Sequence, residues 1–327
     1  MRILFKVLCA SLLLGAAAVS QAGTMKVTLL GTGTPAPYAD RAGPATLVPA
    51  GGETLLFDTG RGVATRLFQK GVAPNSITAH FFTHLHSDHT VGLPDLWLTG
   101  WFGRPWPGRT VPLQIYGPKG TKTMTDYLPK AYDEDIRIRV EDQGLPVEGV
   151  TFVTQEFEKG GMVYSKNGVT VTAVEVDHGG EVIPAFGFIV EYEDKKVAIS
   201  GDAMYDKRLI YAAANADVFV HSVALIDPAF LKVRPILNET LKHFATPEQV
   251  GQVFAESKPL LGAYTHIVFY SPEGGAKITE QVLLERTRSS YQGPVVAGRD
   301  LMEFTVEDKA VIAYDEAGKE LMQVPRR

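Results

Sequence analysis

Seven consecutive residues, Thr83-His84-Leu85-His86-Ser87-Asp88-His89, close a short apolar stretch with three imidazoles and a carboxylate. Side chains at i and i+2 of a strand end face the same way, so His84 and His86 can grip one ion together. A turn into a helix after them would bring Asp88 and His89 toward a neighbouring point, where a second ion would fit. Histidine is scarce here, eight in the whole chain. Two more, His178 and His266, follow at long intervals with Asp202, each at the end of its own apolar stretch. Taken singly, Asp177-His178 reads equally as a hydrogen-bonded pair and His266 as a core histidine. The cluster at 84–89 draws them into one set of nitrogen and oxygen donors for one or two borderline metal ions. In that set His178 completes a first site, His266 a second, and Asp202 has the position and chemistry of a carboxylate bridging both. Metal-assisted hydrolysis is the implied reaction class.

The N-terminus reads as a signal peptide. Arg2 and Lys6 form a positive segment, residues 7–19 are apolar but too short to span a bilayer, and Ser20-Gln21-Ala22 offers small residues for cleavage before Gly23. The single cysteine, Cys9, would leave with it. Thiolate ligands, disulfides and a cysteine nucleophile are thereby excluded from the mature chain. The expected organisation is a signal peptide at 1–22 and one hydrolase domain at 23–327, located in the bacterial periplasm or exterior, with no membrane span in the mature protein. Removing Arg2 and Lys6 from the 32 basic residues takes the formal net charge from −5 to −7. An acidic total makes nucleic acid an unlikely partner on this reading, since phosphate-tracking proteins are usually basic.

Strands and helices alternate along the mature chain. Strands are expected at 27–30, 54–57, 79–83, 112–116, 169–176, 186–192, 196–200, 218–220 and 260–265, with a closing hairpin at 301–305 and 311–314. Helices are expected at 62–70 and at 247–257, the latter with Thr246 as N-cap and Pro247 in its first turn. The charged, poorly patterned stretch 133–155 reads as an insertion or loop. All three tryptophans lie in Trp97-Leu98-Thr99-Gly100-Trp101-Phe102-Gly103-Arg104-Pro105-Trp106. That segment would either wall a pocket for an apolar leaving group, with Arg104 meeting an anionic ester, or pack on the core or in a homodimer contact.

The run Phe82-Thr-His-Leu-His-Ser-Asp-His-Thr-Val-Gly-Leu-Pro94 resembles the metallo-β-lactamase superfamily, as do Leu29-Leu-Gly-Thr-Gly-Thr-Pro35, Leu56-Phe-Asp-Thr-Gly60, Ser200-Gly-Asp202 and Thr265-His266. The nearest branch is that of ribonuclease Z and the zinc-dependent arylsulfatases. This resemblance implies an α/β fold, a four-layer αββα sandwich, with two zinc ions along one edge; manganese or iron suit similar donor sets. It places the first ion on His84, His86 and His178 and the second on Asp88, His89 and His266, bridged by Asp202. Asp88 would also orient the attacking hydroxide. Asp58 would either steady the metal loops or serve as a strand-end cap.

Ribonuclease Z carries a histidine that acts on the leaving group, steadied by a glutamate in a His-Glu-Ala-Thr motif. Here that motif reads His221-Ser222-Val223-Ala224, so the glutamate is missing, and the histidine's counterpart is His243-Phe244-Ala245-Thr246 with altered spacing. His243 is either a general acid or an exposed histidine near a helix start; His221 and His80 read as structural. The altered motifs, the lack of a Gly/Pro-rich arm for transfer RNA and the acidic charge lead to an expected activity of an exported arylsulfatase-like enzyme. It would cleave sulfate or phosphate esters of small molecules. A lactonase, a β-lactamase and a catalytically silent metal-binding protein are the alternatives.

Overall fold

Two β-sheets face each other through an apolar interior. The computed structural model describes residues 23–270 and 279–326; the expected signal peptide lies outside them. One sheet has nine strands, in spatial order Glu320–Pro325, Ala310–Tyr314, Glu303–Val306, Met25–Gly31, Ala45–Ala50, Glu53–Phe57, Ala79–Phe81, Leu113–Pro118 and Phe152–Phe157. The other has seven, ordered Val295–Ala297, Leu261–Tyr270, Val218–Ile226, Lys195–Ile199, Phe186–Tyr192, Val169–Glu175 and Gly161–Lys166. Val27, Phe57 and Phe81 from the first meet Phe188, Val197 and Val220 from the second. Phe81 stacks on Phe57 at 4.9 Å and meets Phe188 edge-on at 5.7 Å. Each such side chain, removed from water, contributes roughly 1.5–3 kcal/mol.

Helices cover both outer faces, giving the αββα order. Val63 and Leu67 of the helix Val63–Gln69 pack on Leu30, Leu47 and Leu56. On the opposite face, Leu209, Val250, Phe254 and Leu283 from three helices cover Phe219 and Val223. The helix Pro247–Ser257 starts as its sequence dictates. Thr246 Oγ1 accepts from the Gln249 amide, and Gln249 Oε1 accepts from the Thr246 amide. Among the described residues no helix is long and apolar enough to cross a membrane.

Two expectations need correction, and one open alternative is decided. The stretch 133–155 is ordered: a helix Asp133–Gln143, a short 3-10 turn Val147–Val150 and the edge strand Phe152–Phe157. That helix fully buries no side chain, and only Ile136 and Val140 pack partly against the core, too few to mark an apolar period. It is held by Arg137 with Glu134 and Glu141, by Arg139 with Asp135, and by acidic residues in its first turn. The strand at 79–83 stops at Phe81. The tryptophan segment is core rather than pocket wall. Trp97 and Trp101 are fully buried with Phe82, Leu93 and Ile115, and their indole N–H groups donate to the carbonyls of Val150 and Pro146. Trp106 packs edge-on against Phe68, and Arg104 is exposed.

Candidate metal centre

Each chemically important side chain follows the carboxyl end of a strand, on a loop or a short helix, or sits in an irregularity within a strand. After Phe81 the chain leaves the sheet, held by Phe82 N–H donating to Tyr116 O, and enters a short helix, Ser87–Thr90. This turn is what aims Asp88 and His89 beside His84 and His86. Asp202 follows Lys195–Ile199 through Gly201, whose φ is +58° and whose Cβ would lie 2.6 Å from the Phe186 carbonyl oxygen. Only glycine fits there. His266 lies inside Leu261–Tyr270, where the pairing slips by one residue against Ser222/Val223, and its φ is +42°. A bulge of this kind re-aims one side chain out of the ladder alternation, at a cost in backbone strain.

The structure brings all seven residues together, with the side chains buried except that of His86, whose residue is exposed. His84 Nε2 and His178 Nε2 stand 2.9 and 3.2 Å from His86 Nδ1. His266 Nε2 is 3.1 Å and His89 Nε2 3.7 Å from Asp88 Oδ2. One oxygen, Asp202 Oδ2, lies between the groups: 3.2 Å from His266, 3.3 Å from His89, 3.8 Å from His178 and 4.0 Å from His84. Donors around a tetrahedral ion bound at about 2.0–2.1 Å stand about 3.3 Å apart. The spacings fit two adjoining half-sites that share one carboxylate. The buried atoms His89 Nε2 and Asp202 Oδ1, which have no hydrogen-bond partner, point to the same conclusion.

The electrostatics favour ligand forms. Burial, joined by neighbouring imidazoles, holds His84, His86 and His178 below the usual histidine range, so they are neutral donors. Burial works to raise Asp202, but His266, His89 and His84 outweigh it and hold the group well below the usual carboxylate range. Asp88 is lowered in the same way, against burial, chiefly by His266. His89 is the exception. Burial would lower it, yet Asp202 and Asp58 together hold it well above the usual range.

Asp58, also in the left-handed region at φ +58°, performs both functions suggested for it. Oδ1 accepts the Thr83 amide at 2.9 Å and so caps the strand end, while Oδ2 accepts His89 Nδ1–H at 2.8 Å and turns Nε2 toward the centre. Asp177 does not pair with His178; its Oδ1 accepts the Gly179 amide. His178 Nδ1–H donates instead to the carbonyl of His243. His243 itself is half-buried beside His178, ring centroids 5.3 Å apart. His221 lies within Val218–Ile226, buried against Phe219 and Phe254 and lowered by burial to about 4; His80 is buried and lowered to about 3.

Two contributors escaped the sequence reading. Thr83 links Asp58 to His84 Nδ1 through its hydroxyl at 3.0 Å, and Phe244 lays its ring 5.0 Å from that of His266. A hydroxyl immediately before the first ligand was the available sign of Thr83; nothing local marked Phe244. A cleft of about 260 Å³ adjoins His178, lined in part by Glu158, Glu175, Ile183 and Arg208. A larger one, about 550 Å³, lies at the opposite strand ends around Lys196, Asp217 and Arg326, among charges paired with one another.

Residues 25–233 match the family model of the anti-Pycsar protein Apyc1. A ribonuclease Z of Mycolicibacterium gilvum is 40% identical over 253 residues, covering 75% of this chain and 84% of that protein. Among solved structures, the metallo-β-lactamase fold protein YhfI of Bacillus subtilis superimposes with a TM-score of 0.66 at 18% identity, over 86% of this chain and all of that one. The short form of human tRNase Z gives 0.62 at 23% identity, over 85% of this chain and 98% of that one. The relatives named ribonuclease Z overturn two expectations, the arylsulfatase-like activity on small esters and the reading of nucleic acid as an unlikely partner. The charge argument failed because net charge sums the whole surface, whereas phosphate contact depends on local charge and on cations held at the centre.

Proposed function

Because the chain belongs to the metallo-β-lactamase-fold family of ribonuclease Z and the anti-Pycsar protein Apyc1, we propose that this metal-dependent hydrolase cleaves phosphodiester bonds in RNA, with two zinc ions. The observation that carries this reading is the position of Asp202 Oδ2 between two histidine groups, which suits a pair of cations acting on one phosphate. Such a pair, when bound, activates a water and offsets charge on the phosphate oxygens. His84, His86 and His178 would hold one cation, Asp88, His89 and His266 the other, and Asp202 both. Asp88, besides binding, would orient the attacking water. His243, at the half-buried rim, would face the leaving oxygen and supply its proton.

The test is zinc-loaded protein incubated with a precursor transfer RNA bearing a 3′ trailer, with an aryl sulfate in parallel. Endonucleolytic cleavage that is lost after chelation and restored by zinc supports the reading. Intact RNA in the presence of fully loaded protein refutes it. For residues 1–22 the proposal is export with removal: intact-mass analysis of the cell-derived protein should give a chain starting at Gly23, and a retained Met1 would refute that.

A further inference from the structure

The segments His178-Gly179-Gly180 and Lys242-His243-Phe244 lie backbone against backbone. His178 Nδ1–H donates to the carbonyl of His243 at 3.0 Å, and His243 Nδ1–H donates to the carbonyl of His178 at 2.8 Å. Each imidazole is thus fixed by the other residue's main chain. The approach is close enough to demand glycine: at Gly179, φ +75°, a Cβ would lie 2.0 Å from the Lys242 carbonyl oxygen, and at Gly180, φ +58°, 3.3 Å from His243 Cε1. Among the described residues no carboxylate is hydrogen-bonded to His243. Position 222, where the family motif has glutamate, is a serine whose buried Oγ has no partner.

We propose that this reciprocal pair is a clasp that positions the ligand His178, so that His243 serves the retention of the first metal as well as its place at the rim. The clasp rests on the two-metal reading above, but it concerns ion binding and not the bond cleaved. The His243 carbonyl selects the His178 tautomer with Nε2 free for the ion, and loss of a partner of this kind typically costs about 10- to 100-fold in metal affinity. The His243 ring holds the far side of the same loop, beside the contact that Asp177 Oδ1 makes with the Gly179 amide.

Three full-length variants test this by zinc titration against a chromophoric chelator, without substrate. His243→Ala removes the ring donor and should weaken one of the two ions, the one held by His84, His86 and His178, by about 10- to 100-fold. His243→Asn keeps an N–H at the same δ position and should stay within about threefold of the parent. Gly179→Ala forces the segments apart and should lose at least as much as His243→Ala; if it fails to fold, the alanine and asparagine pair still decides. Two ions held with parental affinity in His243→Ala would overturn the clasp, as would equal weakening in His243→Ala and His243→Asn. Failure to cleave RNA, with these affinities ordered as expected, would count against the substrate reading alone.

Discussion

Replacing Asp202 with alanine is expected to lower kcat/KM on an RNA substrate by at least about 10³-fold, about 4 kcal/mol of transition-state stabilisation. The size of the effect follows from where its Oδ2 lies, within 4.0 Å of ring nitrogens from four histidines and between the two groups of donors. Two divalent cations among these ligands would be countered by only two ligand carboxylates, Asp88 and Asp202. Losing one raises the net charge of a buried centre from +2 to +3, which the low-dielectric surroundings penalise heavily. The ions should therefore be held more weakly as well as spaced wrongly. Metal content by mass spectrometry and cleavage rate should fall together, with far-UV circular dichroism unchanged. Parental activity with two ions bound would show that the shared carboxylate is dispensable.

How far the centre could be read in advance depended on how local each contact is. His84, His86, Asp88 and His89 are close in sequence, so strand geometry followed by one turn was enough to group them. His266 was harder. It reaches the centre through a bulge defined by its partner strand, at Ser222/Val223, and a single run of residues does not reveal a slipped register. Its assignment leaned on the cluster at 84–89 and on the motif resemblance, since alone it reads equally as a core histidine. The strand Ala45–Ala50 went unread because Pro49 argues against an interior strand; the proline sits next to the strand's end, opposite Thr54, where the ladder tolerates it. The tryptophan segment stayed open between pocket wall and core because clustering in sequence says nothing about which way a helix faces. Trp97 and Trp101, four residues apart, share one face of the helix Leu93–Phe102, and that face packs on the core. Substrate class was the least legible feature. Whole-chain charge and an altered motif were both weaker signs than kinship with ribonuclease Z.

Asp58→Asn should separate the two functions that one carboxylate performs. Asparagine tolerates the left-handed backbone found there, φ +58°, at least as well as aspartate does. Its side-chain oxygen can still accept the Thr83 amide at the Oδ1 position, so the strand end stays capped and stability should change by no more than about 1 kcal/mol. At the Oδ2 position an NH₂ would then face His89 Nδ1, 2.8 Å away, donor against donor. The imidazole can relieve this only by moving its proton to Nε2, the atom that faces Asp88 and Asp202. An Nε2–H cannot ligate a cation. The analogous amide replacement beside a catalytic histidine in serine hydrolases costs about 10⁴-fold through the wrong tautomer. A loss of about 10² to 10⁴ in kcat/KM is expected here, together with release of the ion held by Asp88, His89 and His266. Asp58→Ala should do both kinds of damage, leaving the buried Thr83 amide unpaired at a cost of about 1–3 kcal/mol as well. Chemical denaturation and zinc titration of the two variants, read side by side, decide the matter. If Asp58→Asn binds zinc like the parent, the carboxylate is a strand-end cap and His89 sets its own tautomer.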